Sequence, residues 1–279
     1  DRGNTDLAAT LLDQCPPELR SWEWDYLDRK ARGWTWRVAL GGQAVRAAAF
    51  DPGLNAVRCV TADGGTRLVD LGTGEVSDEV AVPQLHGAFY ASSGNANVIA
   101  AATRDGQVRC RRVDDPAVGA DATLRWTISA TVRSLKLSHD GSRLVIICES
   151  GAAYQFDTTR RSEPVLLNCP GVTTAAISHD GATVALLADG LQILDVSANE
   201  RTATYAVGGD VNALVFLPGG REIVTASLDG DLRFISLDSG TVSPAVSVSD
   251  GPVQLACSAD GTALCITGTD GLVRVYDLN

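Results

Sequence analysis

Apolar residues in this chain fall into short blocks. "NVIAAAT" (97–103), "RLVIIC" (143–148), "TVALLA" (183–188) and "EIVTAS" (222–227) are apolar or β-branched along most of their length and bounded by Gly and Asp. Blocks of this length and composition predict strands, and their lack of polar alternation predicts cover on both faces. Each leads into a turn and a further strand. The turns are Asp63-Gly64, Asp105-Gly106, Ser150-Gly151, Asp189-Gly190, Asp229-Gly230 and Asp270-Gly271, which suit two-residue type I′ hairpins.

A second turn precedes each block, at Asp51-Pro52-Gly53, Ser93-Gly94, Asp140-Gly141, Asp180-Gly181, Gly219-Gly220 and Asp260-Gly261. Before that turn stands a strand of shared pattern: "AVRAAAF", "LHGAFY", "TVRSLKL", "VTTAAI", "DVNALVF" or "PVQLAC". After the hairpin comes "TRLVDL", "VRCRRV", "AAYQFD", "LQILDV", "LRFISL" or "VRVYDL", and then a less regular fourth strand such as "EVAVP" (79–83), "TLRWTI" (123–128) or "TATYAV" (202–207). The unit recurs about every 40 residues, the period of four-stranded propeller blades. Six copies predict an all-β fold, a six-bladed β-propeller of four-stranded antiparallel blades with a short N-terminal helical segment.

The repeat explains why "SHDG" occurs at both Ser138–Gly141 and Ser178–Gly181. It is the turn between the first and second strands of a blade. Adjacent Ser, His and Asp cannot converge as a triad, which needs side chains from separate segments. No catalytic residue is assigned.

Over residues 34–279 the chain resembles the WD-repeat β-propellers, through its period and paired turns. That family ends the third strand in Trp-Asp. Here the same place reads Val69-Asp70, Arg111-Arg112, Phe156-Asp157, Leu194-Asp195, Ile235-Ser236 and Tyr276-Asp277. The family's Gly-His dipeptide before the first strand is also missing. The resemblance implies degenerate blades held by apolar packing, without the family's Asp-His-Ser/Thr-Trp hydrogen-bond set. It also implies a noncatalytic scaffold for a protein or peptide partner.

The last blade stops after its third strand, at Leu278-Asn279, while "WTWRVAL" (Trp34–Leu40) stands spare before the first. Pairing the two would close the ring and leave no long exposed edge. The expected division is a helical junction over 1–33 and a propeller over 34–279. Thr5 or Asp6 can cap a helix running to about Gln14, Pro16-Pro17 break it, and Leu19, Trp22, Tyr26 and Leu27 give a second helix one apolar face. The stretch "LLDQCPPELRSWEWDYL" is similar to the "LL…CP..LRGWEW.YL" junction before propellers in large planctomycete-type bacterial proteins, many of them Ser/Thr protein kinases; Ser21 stands where Gly is usual. That resemblance implies the C-terminal propeller of a larger signalling protein. The upstream domain stays open, since sigma-factor-like domains also precede such propellers.

Charge narrows the partners. The net charge is −11, and Lys occurs only at 30 and 136, so nucleic acid is not expected. No segment reaches the ~18 apolar residues of a membrane span, and no signal peptide is expected. Met is absent, so a processed form or an internal piece is expected. A monomer is expected. The compartment stays undetermined, being cytoplasmic or beyond the membrane if an upstream segment tethers the domain. The seven cysteines (15, 59, 110, 148, 169, 257, 265) show no CxxC spacing and read as small buried hydrophobes, and with three histidines no zinc site or other cofactor is expected.

Two rows of residues carry candidate chemistry. Third strands align Arg67, Arg109, Arg233 and Arg274 with Tyr154 and Gln192, each long side chain expected to pair with an acidic neighbour along its blade. First strands carry Arg46, His86, Arg133, Thr173 and Asn212 near their start. Because first strands line a propeller's channel, this second row is either a solvated lining or a site at one mouth for an acidic peptide or small anion. A lactonase-like hydrolase with a channel metal is a third alternative, but it needs several channel carboxylates and this row has none.

Overall fold

The computed structural model describes residues 11–12, 14–16, 45–51, 56–61, 65–70, 73–79, 89–94, 97–113, 123–247, 252–258, 260–268 and 273–278. Its strands form six antiparallel sheets, each contiguous in sequence. Blade 1 contains β1 (Val45–Asp51), β2 (Ala56–Thr61), β3 (Thr66–Asp70) and β4 (Val76–Glu79). Blade 2 contains β5 (Phe89–Ser92), β6 (Val98–Ala102), β7 (Gln107–Arg112) and β8 (Thr123–Thr127). Blade 3 contains β9 (Val132–Leu137), β10 (Arg143–Cys148), β11 (Ala153–Asp157) and β12 (Val165–Leu166). Blade 4 contains β13 (Thr174–Ile177), β14 (Thr183–Ala188), β15 (Gly190–Asp195) and β16 (Glu200–Tyr205). Blade 5 contains β17 (Val211–Phe216), β18 (Glu222–Ser227), β19 (Asp231–Ser236) and β20 (Val246–Ser247). Blade 6 contains β21 (Pro252–Cys257), β22 (Ala263–Gly268) and β23 (Val273–Asp277). The fold is an all-β, six-bladed propeller. The expected helices over 5–31, the domain boundary at 33/34 and the closing strand Trp34–Leu40 lie outside the described residues, apart from the short turn at Leu11–Pro16. No helix among the described residues is long and apolar enough to cross a membrane.

Packing explains the unbroken apolar runs. In β10, Leu144 and Ile146 join Val98, Ala100 and Cys110 of blade 2, while Val145 and Ile147 join Val184 and Leu186 of blade 4. In β14, Leu186 faces blade 3, and Ala185 and Leu187 face Phe216 and Ile223 of blade 5. A second strand thus spends alternate residues on two neighbours, and neither face remains for water. At ~1.5–3 kcal/mol per buried large aliphatic side chain, these interfaces supply the cohesion expected of blades lacking the Trp-Asp pair. The cysteines are free thiols, and burial pushes Cys110, between blades 2 and 3, up to about 12.

Two local expectations are corrected. The hairpins at Gly106, Gly151 and Gly230 are not type I′ turns. Only the glycine has positive φ (93°, 80° and 93°), while Asp105, Ser150 and Asp229 do not. Each glycine N–H donates to the carbonyl three residues back, at Thr103, Cys148 and Ser227. This is the longer loop in which a type I turn is followed by one left-handed residue, so a single glycine suffices. In blade 1 the fourth strand already runs over Val76–Glu79, earlier than the start expected at 79, and residues 80–83 of the expected strand lie outside the described residues. The Asp70 side chain accepts from the Thr73 N–H (2.7 Å) and the Gly74 N–H donates to the Asp70 carbonyl (2.9 Å), a turn tight enough to start the strand early.

Candidate functional site

The first strands β1, β5, β9, β13, β17 and β21 lie successively side by side and line the central channel. Their pairing with the second strands slips once, near the start, in four of them. Val45 pairs with Thr61 and Ala47 with Val60, which leaves Arg46 over. By the same slip β9 leaves Arg133, β17 leaves Asn212 and β21 leaves Val253. These are β-bulges, in which an extra residue bends the strand and re-aims its own side chain. In blade 4, Thr173 occupies the corresponding place just before β13, and its N–H and hydroxyl both donate to the Leu187 carbonyl (2.8 and 3.2 Å). Arg46, Arg133 and Thr173 are exposed, and Asn212 is half-buried. Among the described residues, neither Arg46 nor Arg133 has an ion-pair partner. His86 lies outside the described residues.

This mouth is stitched together by backbone. The Val132 N–H donates to the Arg104 carbonyl of the preceding blade's hairpin (2.9 Å), and the Val172 N–H to the Gly151 carbonyl (2.8 Å). Arg104 and Glu149, on successive hairpins, form an ion pair at 2.5 Å. The seam needs glycine at position 106, because a Cβ there would sit 2.0 Å from the Ile128 carbonyl oxygen. The bulged residues therefore project from a rigid rim, which favours reproducible presentation of their side chains.

The opposite mouth carries the turns that repeat in sequence. The Ser138 hydroxyl donates to Asp140 Oδ1 (2.6 Å) and accepts from the Arg143 N–H (3.0 Å), and Asp140 Oδ1 also accepts from the Ser142 N–H (2.9 Å). Ser178 and Asp180 in blade 4 and Ser258 and Asp260 in blade 6 repeat the arrangement. The serine is thus spent on closing the turn. Burial pushes the Asp140 carboxyl up, but the Ser138 hydroxyl and the Ser142 N–H outweigh it and hold it below the ordinary range. The Ser258 hydroxyl and the Thr262 N–H bring Asp260 down to about 2. His139 and His179 stack on each other with ring centroids 3.9 Å apart. Gly94 of blade 2 makes room, since a Cβ there would lie 1.9 Å from His139 Nδ1. Burial, then the neighbouring imidazole, lowers the pKa of His139 against the pull of Asp140.

The third-strand row is confirmed as a register. Arg67, Arg109, Tyr154, Gln192, Arg233 and Arg274 pair with equivalent second-strand positions, Cys59, Ala101, Ile146, Leu186, Thr225 and Ile266. Arg67 pairs with Asp78 (2.8 Å), and Arg233 donates to the Gly208 carbonyl (3.0 Å) beside Asp231 (3.5 Å). Arg109 departs from the expectation, because Arg125 stands opposite it. Two residues singled out by the structure were not singled out in sequence. One is Lys136 on β9. The other is Gln155 on β11, buried with its Oε1 unpartnered.

The WD domain, G-beta repeat family matches residues 200–236. That stretch runs from β16, the outer strand of blade 4, through β19, the third strand of blade 5. Together with the six blades, the match supports a WD-repeat propeller. No curated protein matches the chain.

Proposed function

We propose that this chain is a noncatalytic interaction propeller whose hairpin-side mouth receives a compact acidic group of a protein or peptide partner. WD-repeat propellers are commonly protein-interaction scaffolds, which supports the class. The observation that carries the site is the shared bulge. Independent strands from different blades bend at one level and turn Arg46, Arg133 and Asn212 out beside Thr173. Two arginines without acidic partners in a chain of net charge −11 make a local positive site that attracts a narrow anionic group, while the body repels a broad acidic surface.

In this reading the domain localises or senses within a larger signalling protein, and the chemistry is carried elsewhere. The kinase-type junction "LLDQCPPELRSWEWDYL" supports that setting, and a catalytic domain encoded upstream of Asp1 is the expected finding. Nucleic acid is not the partner, given the charge.

The direct test is fluorescence anisotropy with a labelled oligoglutamate peptide. The Arg46→Gln, Arg133→Gln double variant should abolish binding, and raised salt should weaken the wild type steeply. Equal affinity of variant and wild type would overturn the assignment.

A further inference from the structure

The six first strands contain three cations, Arg46, Arg133 and Lys136, and one carboxylate residue, Asp51 at the end of β1. The channel lining thus inverts the sign of the chain as a whole, which is −11. Arg46 and Arg133 stand at the mouth. Lys136 is three residues further along β9 than Arg133, roughly 10 Å deeper at strand spacing.

Register shows how unusual Lys136 is at its level. It pairs with Val145, and the corresponding residues of the other blades are Ala49, Ala91, Ala176, Val215 and Ala256. Ala91, Ala176 and Val215 pack into the cores between blades, and Lys136 is the one long cationic side chain at this level. The side chain is exposed, and among the described residues it makes no hydrogen bond or ion pair. Leu135 and Leu137 on either side of it pack into the core between blades 2 and 3, so Lys136 takes the alternate direction. On an innermost strand, the water reaching an exposed side chain is channel water. The surrounding walls strip part of the ammonium's hydration, and this burial lowers its pKa. An unpaired, partly dehydrated cation is a costly thing to keep, and a bound anion with several acceptor oxygens restores what it has lost.

We propose that Lys136 anchors a binding position inside the channel for a small free oxyanion of the phosphate or sulfate class. The lining's positive sign draws such an ion from the mouth inward. The proposal is separate from the mouth's reading as a partner site, because its anchor lies deeper and its ligand is a free ion.

Only Lys30 and Lys136 are available as lysine amines, so Lys30 serves as an internal reference. The full chain is treated with a small acylating reagent and modification is read per residue by mass spectrometry, with inorganic phosphate or with chloride at matched ionic strength. Phosphate should slow modification of Lys136 about tenfold for each unit by which the bound ion raises the amine's pKa, and leave Lys30 unchanged. In calorimetry, Lys136→Met should lose phosphate binding, and the Arg46→Gln, Arg133→Gln variant should keep it while losing the oligoglutamate peptide. No slowing at Lys136, or equal slowing at both lysines, overturns the proposal. Protection by the peptide but not by phosphate also overturns it. Because the labelling uses the unmodified protein, a variant that fails to fold does not shield the idea.

Discussion

Blades 3 and 4 each bury a glutamine on the third strand, and only one has its side-chain oxygen partnered. Gln192 of blade 4 is 7% exposed, and its Oε1 accepts from Arg201 Nη1 at 3.3 Å. Arg201 lies on β16, an outer strand of six residues. Gln155 of blade 3 is 8% exposed, and its Nε2 donates to the Val196 carbonyl at 2.9 Å, but its Oε1 has no partner. Its outer strand, β12, stops after two residues and leaves a cleft of about 170 Å³ bordered by Gln155, Asp157, Ser162, Glu163 and Ser197. At the register of Gln155 the other blades carry Leu68, Cys110, Ile193, Phe234 and Val275. The fourth strand therefore does more than cover an edge. It supplies partners for polar groups on the third, and where it is short such a group is stranded.

The largest effect should come from the aromatic core of blade 3. Phe156 is 1% exposed and meets Trp126 edge-on, with ring centroids 5.2 Å apart, and Trp126 Nε1 donates to the Ser162 carbonyl (2.8 Å). Phe156→Ala should cost ~3–5 kcal/mol in urea denaturation, and Leu194→Ala at the same register of blade 4 ~2–5. A small loss at Phe156 would mean that blade 3 is loosely packed throughout.

Next come the paired turns. Gly141 and Gly181 both have positive φ, 73° and 67°. A Cβ at 141 would lie 2.5 Å from Val98 Cγ2, a fully buried branched side chain, whereas at 181 it meets the half-buried Arg143 and Ser142 side chains at 2.7 Å. Gly181→Ala should cost ~1–2 kcal/mol from backbone strain, and Gly141→Ala ~1–3 kcal/mol beyond that from crowding. Equal losses would show that Val98 moves freely.

The glutamines themselves should respond unequally. Gln155→Leu removes an orphaned acceptor together with the bond from its Nε2 to the Val196 carbonyl, so the two effects offset and the net change should stay below about 1 kcal/mol. Gln192→Leu loses the bond from Arg201 with no such relief and should destabilise by about 1 kcal/mol. Thermal melts of both variants decide it, and a loss at Gln155→Leu as large as at Gln192→Leu would imply that water already satisfies the Gln155 Oε1.

The smallest effect is the pH response of the imidazole stack joining the two blades. His139 binds its proton less readily when folded than its ordinary 6.5, so the unfolded chain protonates first. Stability from the stack is complete above that value and is lost as pH falls below it. The loss should be well under about 1 kcal/mol, because the rings are half-exposed, and His139→Gln should remove it from the melting profile between mildly acidic and neutral pH.

Much of this was legible in sequence because the repeat writes each strand and turn several times. The blade number follows from the turns, and the continuous apolar runs announce second strands shared between neighbours. The mouth row was readable as a position, yet Arg46, Arg133 and Asn212 look like ordinary strand residues until pairing shows them to be extras. A bulge leaves no mark in composition, since any residue fits it. Lys136 escaped because its significance lies in five Ala or Val residues far apart in the chain. Gln155 escaped because its trouble is set by where β12 ends, and short outer strands carry no clear periodicity.

The stretch matched to the WD repeat starts on the rim of one blade and finishes on the third strand of the next. A gain or loss of one such unit therefore cuts two successive sheets at the same place, between the third and fourth strands. Excision of 200–236 would bring β20 alongside β15, giving a hybrid sheet of normal order and no bare edge. A ring phased in this way can change its circumference by one unit and still give every sheet its full order of strands.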